Sequence, residues 1–352
     1  MRIVVDVAPL SHPRTGVGNY IRGSLLGLAA NGAAVTAFAP ASRRGLREIE
    51  RALEGVDVER RLPTVPAAHA VRSAWSRLGR PAAERFVGPF DVLHFSDWMY
   101  PPQRSGLRST MIHDLVPLHF PGWVPRRTRR MHGAKYRNAA RTCDVVIVNS
   151  EFTADDVART LHVPRGRIQV AYPGLEAHFT ADGPRRELDR PYLLTVATLE
   201  PRKNLGSLVD AYALLGDLDH SLVVAGAAGW GAQPALDRAG IVRLGYTPPE
   251  ELAALYRGAA AVVYPSRFEG FGMPIVEAMA CGAPVVASAH PSLDEASGEA
   301  AVRVDPLDAA AIAAGVREAL AERASLVARG RAHAAGFTWT ANGRAHLEAW
   351  SR

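Results

Sequence analysis

A chain of 352 residues is too long for one hydrophobic core and suits two domains. Apolar content of 48% and charged content of 22% exclude a disordered or fibrous protein. A net charge of +6 admits nucleic acid, an anionic membrane or a phosphorylated substrate as partner. No zinc-finger, RRM or KH pattern is visible, which argues against a dedicated nucleic-acid binder.

The chain opens on a strand at Ile3–Val7, with no signal-peptide pattern and no apolar run long enough to span a bilayer. Strands then alternate with helices, the pattern of a doubly wound parallel sheet. The apolar runs predict strands at Val35–Ala39, Asp91–Phe95, Thr110–His113, Asp144–Asn149 and Ile168–Ala171. Helices are predicted at Tyr20–Asn31, Ala67–Leu78, Arg126–Ala140 and Thr153–Leu161, the last with a capping-box spacing from Thr153 to Asp156. Periodicity lapses after Gly174 and resumes at Tyr192–Thr198, Leu222–Ala225, Ile241–Leu244, Ala261–Tyr264, Val285–Ser288 and Ala301–Val304, with a last helix at Trp339–Trp350. The expected organisation is therefore a first Rossmann-like domain over 1–175, a linker over 176–190, a second domain over 191–336 and a final helix over 337–352. Cys143 and Cys281 fall in apolar contexts without disulfide or metal-ligand spacing, so a reducing cytoplasm is expected.

Residues that carry chemistry follow predicted strand ends. Gly16-Val17-Gly18 places small residues between the first strand and its helix, where a backbone approaches a phosphate closely. The third glycine of a dinucleotide fingerprint is absent, which argues against an NAD-type oxidoreductase. Asp97, Trp98 and Tyr100 lie just past another strand; their loop either contacts an acceptor or packs down on the domain. His113 and Asp114 end the next strand, at the edge where open sheets bind ligands. The run Arg126-Arg127-Thr128-Arg129-Arg130 is either a solvated helix face or a site for an anionic lipid or phosphorylated acceptor.

In the second half, Arg202 and Lys203 stand side by side where a helix is about to begin. Adjacent cations there oppose the helix dipole, and an anion bound by both resolves the conflict. Further on, Pro265 ends a buried strand, Glu269-Gly270-Phe271-Gly272 makes a flexible turn, and a helix starts at Met273-Pro274 with Glu277 inside it. A carboxylate early in a helix also complements the dipole, but that does not explain Glu269 and both glycines together. No Asp-x-Asp pair is placed in a loop to hold a divalent cation, so no metal is expected.

The pattern from Glu269 to Glu277 resembles the E-x7-E motif of retaining GT-B glycosyltransferases, especially family 4. Arg202-Lys203-Asn204 resembles the pair that binds the donor diphosphate in that family. His113-Asp114-Leu115-Val116-Pro117 looks like its mannosyltransferase members, and Gly226–Gly231 resembles a Gly-Trp loop in the same enzymes. The resemblance covers nearly the whole chain. It implies an α/β GT-B fold, two Rossmann-like domains facing across a cleft, with the final helix returning to the first domain. It implies a metal-independent retaining hexosyltransferase with a nucleotide sugar as co-substrate, GDP-mannose first or a UDP-hexose, a hydroxyl acceptor and no resident cofactor.

By the same resemblance, Arg202 and Lys203 stabilise the leaving diphosphate, Glu277 holds the ribose, and Glu269 with the Gly270–Met273 backbone holds the sugar. His113 sits beside the sugar with Asp114 in support, Gly16–Gly18 face the pyrophosphate, and the backbone near Arg243 and Leu244 lines the nucleobase pocket. Peripheral membrane contact through the basic first domain is left open. A GT-B epimerase or phosphorylase would share the cleft and remains as an alternative, although no cofactor-lysine context for a phosphorylase is visible; a basic binding protein explains the charge but not the donor motifs.

Overall fold

The computed structural model describes residues 1–12, 16–96, 98–231 and 236–352. They form two compact units. One comprises Met1–Leu118, Arg126–Gly174 and Thr338–Arg352; the other comprises His119–Pro125 and Leu175–Phe337.

The first unit is built on a seven-stranded sheet in the order β3-β2-β1-β4-β5-β6-β7. Its strands are β1 Arg2–Asp6, β2 Ala34–Phe38, β3 Glu59–Arg61, β4 Val92–Phe95, β5 Leu107–Ile112, β6 Val145–Val148 and β7 Ile168–Val170. Every pairing is parallel, with Ile3 beside Val92 and Asp6 beside Phe95 at the centre. Parallel strands covered on both faces need near-continuous apolar runs, and β4, with all four residues buried, supplies one. Helices α1 Gly16–Ala30, α2 Arg43–Ala52, α3 Ala68–Leu78, α4 Arg126–Thr142 and α5 Glu151–Leu161 cover the sheet. Ile21, Leu25 and Leu28 of α1 and Ile49 of α2 share one buried cluster with Ile3 and Val5.

Four local details differ from the sequence reading. Helix α1 begins at Gly16, so Gly16, Val17 and Gly18 form its first turn and not a loop ahead of it. Helix α5 is capped by Ser150, whose Oγ accepts the Thr153 N–H at 3.0 Å, so Thr153 lies inside the helix and not at its cap. Strand β3 and helix α2 were not foreseen. The segment His119–Pro125, read as part of the first domain, groups with the second unit.

The second unit carries a six-stranded sheet in the order β10-β9-β8-β11-β12-β13, parallel throughout. Its strands are β8 Tyr192–Val196, β9 Ser221–Ala225, β10 Ile241–Gly245, β11 Ala261–Tyr264, β12 Val285–Ser288 and β13 Ala301–Val304. Helices α6 Leu205–Ala213, α7 Pro249–Gly258, α8 Met273–Ala280, α9 Ala309–Ala321 and α10 Arg323–Ala334 pack around it. Residues 176–190, read as a linker, form no helix or strand but are tied to α7. Arg257 donates to the carbonyls of His178 (3.2 Å), Thr180 (3.0 Å) and Pro184 (2.7 Å).

The chain ends in α11, Trp339–Trp350, which packs on α1 in the first unit. The crossing is close because both helices present glycine. A Cβ on Gly27 would meet the Trp339 carbonyl oxygen at 1.9 Å, and one on Gly343 would meet Gly27 at 2.2 Å.

In each sheet the strand order reverses once, between β1 and β4 and between β8 and β11. The carboxyl ends of those neighbouring strands are where open parallel sheets bind ligands, because loops leaving in opposite directions open a crevice.

Candidate active site

In the second unit, the two loops at the reversal are joined through their backbones. After β8 the chain makes one 3-10 turn, Pro201–Lys203, and then Asn204 takes the left-handed conformation at φ 56°. The Asn204 amide donates to the carbonyls of Pro265 at 3.2 Å and Pro306 at 2.5 Å. The Arg202 carbonyl accepts the Arg267 N–H at 2.8 Å and the Ser266 hydroxyl at 3.1 Å. Thus the turn that carries the cations is fixed to the loop that carries Glu269.

Their side chains meet. Glu269 Oε2 accepts from the Arg202 guanidinium, while Oε1 accepts from Lys203 Nζ at 2.6 Å, Ser266 Oγ at 2.6 Å and Tyr264 OH at 2.9 Å. Lys203 also donates to Tyr264 OH at 2.6 Å, and Arg202 pairs with Glu200 at 2.8 Å. Glu269 is only 6% exposed. Burial alone would raise its pKa, but the charges of Arg202 and Lys203, with hydrogen bonds from Lys203 and Ser266, hold it down at about 2. Burial and the Arg202 charge lower the Lys203 pKa, with Glu269 partly offsetting both.

Two sequence expectations change here. The cations do not sit on the helix start, because Asn204 separates their turn from α6. The anion that resolves their repulsion is the protein's own Glu269, with Glu200 beside it. Glu269 is therefore not a free carboxylate awaiting sugar hydroxyls, since both of its oxygens already have protein partners.

The glycine turn has the geometry its residues allow. Gly272 adopts φ 105°, which strains any other residue, and a Cβ there would meet Leu293 at 2.6 Å. Phe271 is buried against Phe337, with ring centroids 5.2 Å apart, and Gly270 is buried beside it. Pro274 occupies the first turn of α8, which opens at Met273. Glu277 is the fifth residue of that helix, too far in to complement the N-terminal dipole, and it accepts from Tyr256 OH at 3.0 Å. Burial pushes its pKa up to about 7, against the lowering effect of the Tyr256 hydrogen bond and with a contribution from Glu176. One motif thus holds two carboxylates whose pKa values are pushed in opposite directions, Glu269 down and Glu277 up.

Arg243 and Leu244 are exposed on β10, the edge strand, whose register with β9 shifts between Arg243 and Gly245. The preceding loop, Gly226–Gly231, lies backbone to backbone on the loop after β8. A Cβ on Gly226 would meet the Ala197 oxygen at 2.0 Å and one on Gly229 the Leu199 oxygen at 2.1 Å. Trp230 of that loop donates its indole N–H to the Trp123 carbonyl at 2.6 Å.

In the first unit, His113 directly follows β5, half-buried, with Nε2 enclosed and without a partner among the described residues. Burial, then the charges of Lys135 and His132, push its pKa down to about 3, so the imidazole is neutral at physiological pH. Asp114 makes a local turn: its Oδ1 accepts the Val116 N–H at 3.0 Å, starting the short helix Val116–His119. Tyr100 packs down, against Phe95 at 5.3 Å and beneath the Arg108 guanidinium at 4.9 Å, so the acceptor role considered for it is not supported by its position. Trp98 is half-buried and meets His69 edge-on at 5.7 Å. Asp97 lies outside the described residues.

The sequence reading missed Glu200, Tyr256, Tyr264, Ser266 and Lys135. One signal was available: of 41 basic residues only Lys135 and Lys203 are lysines. Both are buried, and Lys135 Nζ donates to the carbonyls of Ser96 and Met111 at 2.6 Å each. Among the described residues, no three His, Cys, Asp or Glu side chains group as a metal-binding set. No helix among them is long and apolar enough to cross a membrane.

Two parallel α/β units with their loops at the strand reversals define the class, a GT-B fold. The chain is similar to sucrose-phosphate synthase from Thermosynechococcus elongatus, at TM-score 0.72 and 21% identity over 99% of this chain and 98% of that one. It is similar to Anabaena HepE, solved with UDP-glucose, at TM-score 0.70 and 17% identity over 100% and 99%. WaaG, a glycosyltransferase involved in lipopolysaccharide biosynthesis, matches at TM-score 0.68 and 16% identity over 99% and 98%. Residues 14–179 match the model "Glycosyltransferase Family 4" and residues 180–334 match "Glycosyl transferases group 1". The chain belongs to the family 4 glycosyltransferases of the GT-B fold. Relatives include O-antigen chain mannosyltransferase B of Escherichia coli, 29% identical over 96% of each chain. D-inositol 3-phosphate glycosyltransferase of Mycolicibacterium smegmatis is 29% identical over 99% of this chain and 89% of that one.

Proposed function

We propose that this glycosyltransferase moves mannose from GDP-mannose to a hydroxyl acceptor, with retention of configuration and without a divalent cation. The observation that carries this reading is the pair Arg202 and Lys203, fixed side by side where the strand order reverses, with the Glu269 carboxylate as shared counter-ion. The donor diphosphate replaces Glu269 between them, and two fixed cations supply the charge that a metal ion supplies elsewhere. As the bond from C1 to the phosphate oxygen breaks, the acceptor oxygen bonds C1 from the same face. The acceptor proton passes to the departing phosphate oxygen.

Glu269, released from the cations, turns to the sugar hydroxyls beside the Gly270–Met273 backbone. Glu277 takes the ribose, and the backbone at Arg243 and Leu244 takes the base. His113 offers its neutral Nε2 to a sugar hydroxyl, Asp114 steadies the turn behind it, and the first turn of α1 at Gly16–Gly18 meets the diphosphate. No resident cofactor is needed.

Mannose is favoured by the His113–Pro117 segment and by the name of the Escherichia coli relative. Buried, unpaired Cys143 and Cys281 suit a reducing cytoplasm. An anionic membrane face or a phosphorylated acceptor suits α4, where Arg126, Arg130, Arg137 and Arg141 share one exposed face of a helix without an acidic residue. The test is calorimetry and thermal shift with GDP, UDP, ADP and their sugars. A ligand at 100 times its Kd adds about 2.7 kcal/mol to stability. GDP-mannose is expected to give the largest shift; a larger shift with a UDP-sugar rejects mannose, and no nucleotide response rejects the whole reading.

A further inference from the structure

Behind His113 the first unit contains a buried polar chain that the proposed reaction does not use. Tyr20, on α1, stands edge-on to the His113 ring, with centroids 5.1 Å apart and planes at 85°. Trp339 meets the Tyr20 ring at 5.8 Å and 82°. The Tyr20 hydroxyl donates to the Ala171 carbonyl at 2.8 Å and accepts from the Asn342 amide at 3.0 Å. That amide also reaches the carbonyls of Ala171 at 3.1 Å and Tyr172 at 2.8 Å. One turn further along α11, His346 Nδ1 donates to the Asn342 carbonyl at 2.9 Å, which fixes the tautomer and leaves Nε2 as an acceptor.

A purely structural role explains these residues poorly. Asn342 and His346 are 1% and 0% exposed, yet Asn342 Oδ1 and His346 Nε2 have no hydrogen-bond partner among the described residues. Each buried unsatisfied polar atom costs about 1–3 kcal/mol, and an apolar residue of similar size at either position avoids that cost. Helix α11 already holds to α1 through the Gly27–Gly343 approach, and to the sheet through the buried Trp350, which meets the His94 ring at 5.5 Å and donates to Ser109 Oγ at 2.9 Å. Besides its contacts with the Ala171 and Tyr172 carbonyls, Asn342 provides a second hydrogen bond to the Tyr20 hydroxyl, which fixes the ring against which His113 rests.

We infer that Tyr20 and Asn342 are positioning residues for His113, so that the last helix of the chain sets the orientation of the imidazole offered to the donor. The inference rests on the reading of His113 as facing the donor sugar. Its Nε2 is the enclosed, unpartnered atom of that ring, and the Tyr20 ring limits how the imidazole can tilt. A change of about 1 Å in such a contact can cost on the order of a hundredfold in rate without altering what binds elsewhere.

The experiment measures kcat for nucleotide release from GDP-mannose or UDP-glucose, whichever the wild type turns over, with Kd for the matching nucleotide by calorimetry. The variants are His113→Ala, Tyr20→Leu, Tyr20→Phe, Asn342→Leu and the Tyr20→Phe/Asn342→Leu double. Tyr20→Leu is expected to lower kcat by about ten- to a hundredfold, with nucleotide Kd within about twofold of wild type. Tyr20→Phe keeps the ring and so recovers most of that loss. Tyr20→Phe and Asn342→Leu each lower kcat by about threefold or more, and the double is no worse than either single, because the Tyr20–Asn342 hydrogen bond is the one that both remove. The NMR signals of the His113 imidazole, assigned by their loss in His113→Ala, are expected to move in Asn342→Leu even if Tyr20→Leu fails to fold. If His113→Ala turns over like wild type, the reading of His113 fails and this inference with it. If His113→Ala is impaired but folded Asn342→Leu keeps wild-type kcat and unmoved imidazole signals, the positioning role alone is overturned.

Discussion

Replacing Glu269 by Gln removes one negative charge from between the buried Lys203 and the half-buried Arg202 and keeps the side chain's shape. In the unliganded enzyme this leaves Lys203 and Arg202 without their shared counter-ion, and breaking a buried pair in this way costs about 3–5 kcal/mol. A bound diphosphate restores the missing charge. It also no longer meets a neighbouring carboxylate: a unit charge roughly 6 Å away, at an effective dielectric constant of about 20, repels by about 3 kcal/mol. Both effects act in the same direction. Glu269→Gln is therefore expected to melt earlier than wild type without ligand, yet to bind the free nucleoside diphosphate at least about tenfold more tightly, the equivalent of about 1.4 kcal/mol. The nucleotide-induced rise in Tm should exceed that of wild type. Calorimetry with GDP and UDP beside a thermal-shift series gives both quantities. A folded Glu269→Gln with unchanged or weakened nucleotide affinity refutes the counter-ion reasoning; unchanged affinity leaves Glu269 with the sugar alone, as the sequence by itself suggests.

Other outcomes follow from the same geometry. Arg202→Ala should lower kcat by about 10²–10³-fold, as for one lost preorganised charge-stabilising donor, while nucleotide binding weakens by only about 1.5–3 kcal/mol; near-normal turnover contradicts the leaving-group role. Glu277 has a pKa raised from 4.5 to about 7, so its folded form binds a proton that the unfolded chain has released, and its contribution to stability is lost as pH rises through about 7. Because a carboxylate holds a ribose better than the acid does, nucleotide Kd should rise as pH falls from 8 to 6, and Tyr256→Phe should move that midpoint up; a flat Kd profile removes Glu277 from the ribose. Turnover should persist in EDTA and gain nothing from Mg²⁺ or Mn²⁺. Arg130→Glu/Arg137→Glu should abolish co-sedimentation with anionic phosphatidylglycerol vesicles if α4 meets a membrane; wild type that ignores those vesicles leaves the arginine face to a phosphorylated acceptor.

The strands were legible because both sheets are parallel and covered, so Val145–Val148 and Ala261–Tyr264 appear as unbroken apolar runs. Strand β3 was not, since Glu59, Arg60 and Arg61 are all exposed and offer no apolar run, although they pair with β2 through the backbone and through a Thr36–Glu59 hydrogen bond at 3.0 Å. Helix α2 escaped for a related reason: Leu46 and Ile49 are its apolar contacts amid a run of Arg and Glu. In the site, the chemical residues announced themselves by type and by their place after strands. Their partners did not. Glu269 and Lys203 are 66 residues apart in sequence, and only the adjacency of β8 and β11 brings them to 2.6 Å. The sequence reasoning asked correctly which anion answers the two cations, and periodicity has no means of showing that it comes from the chain itself. Likewise, nothing in the order of residues shows that Tyr100 lies beneath Arg108.

The burial of both lysines has a consequence for the outer surface. Every other basic side chain apart from histidine is an arginine, and a guanidinium holds its proton far more firmly than an ammonium does. Raising the pH from 8 to 11 therefore discharges almost none of the exterior's positive charge, where a lysine-coated protein of the same net charge loses most of it. Amine-directed reagents meet the same asymmetry. With Lys135 at 5% and Lys203 at 8% exposure, neither lysine amine is open to such reagents while the protein stays folded. An adduct mapped to either lysine therefore reports its exposure, which makes acylation a direct chemical gauge of local opening at Lys203 and Lys135.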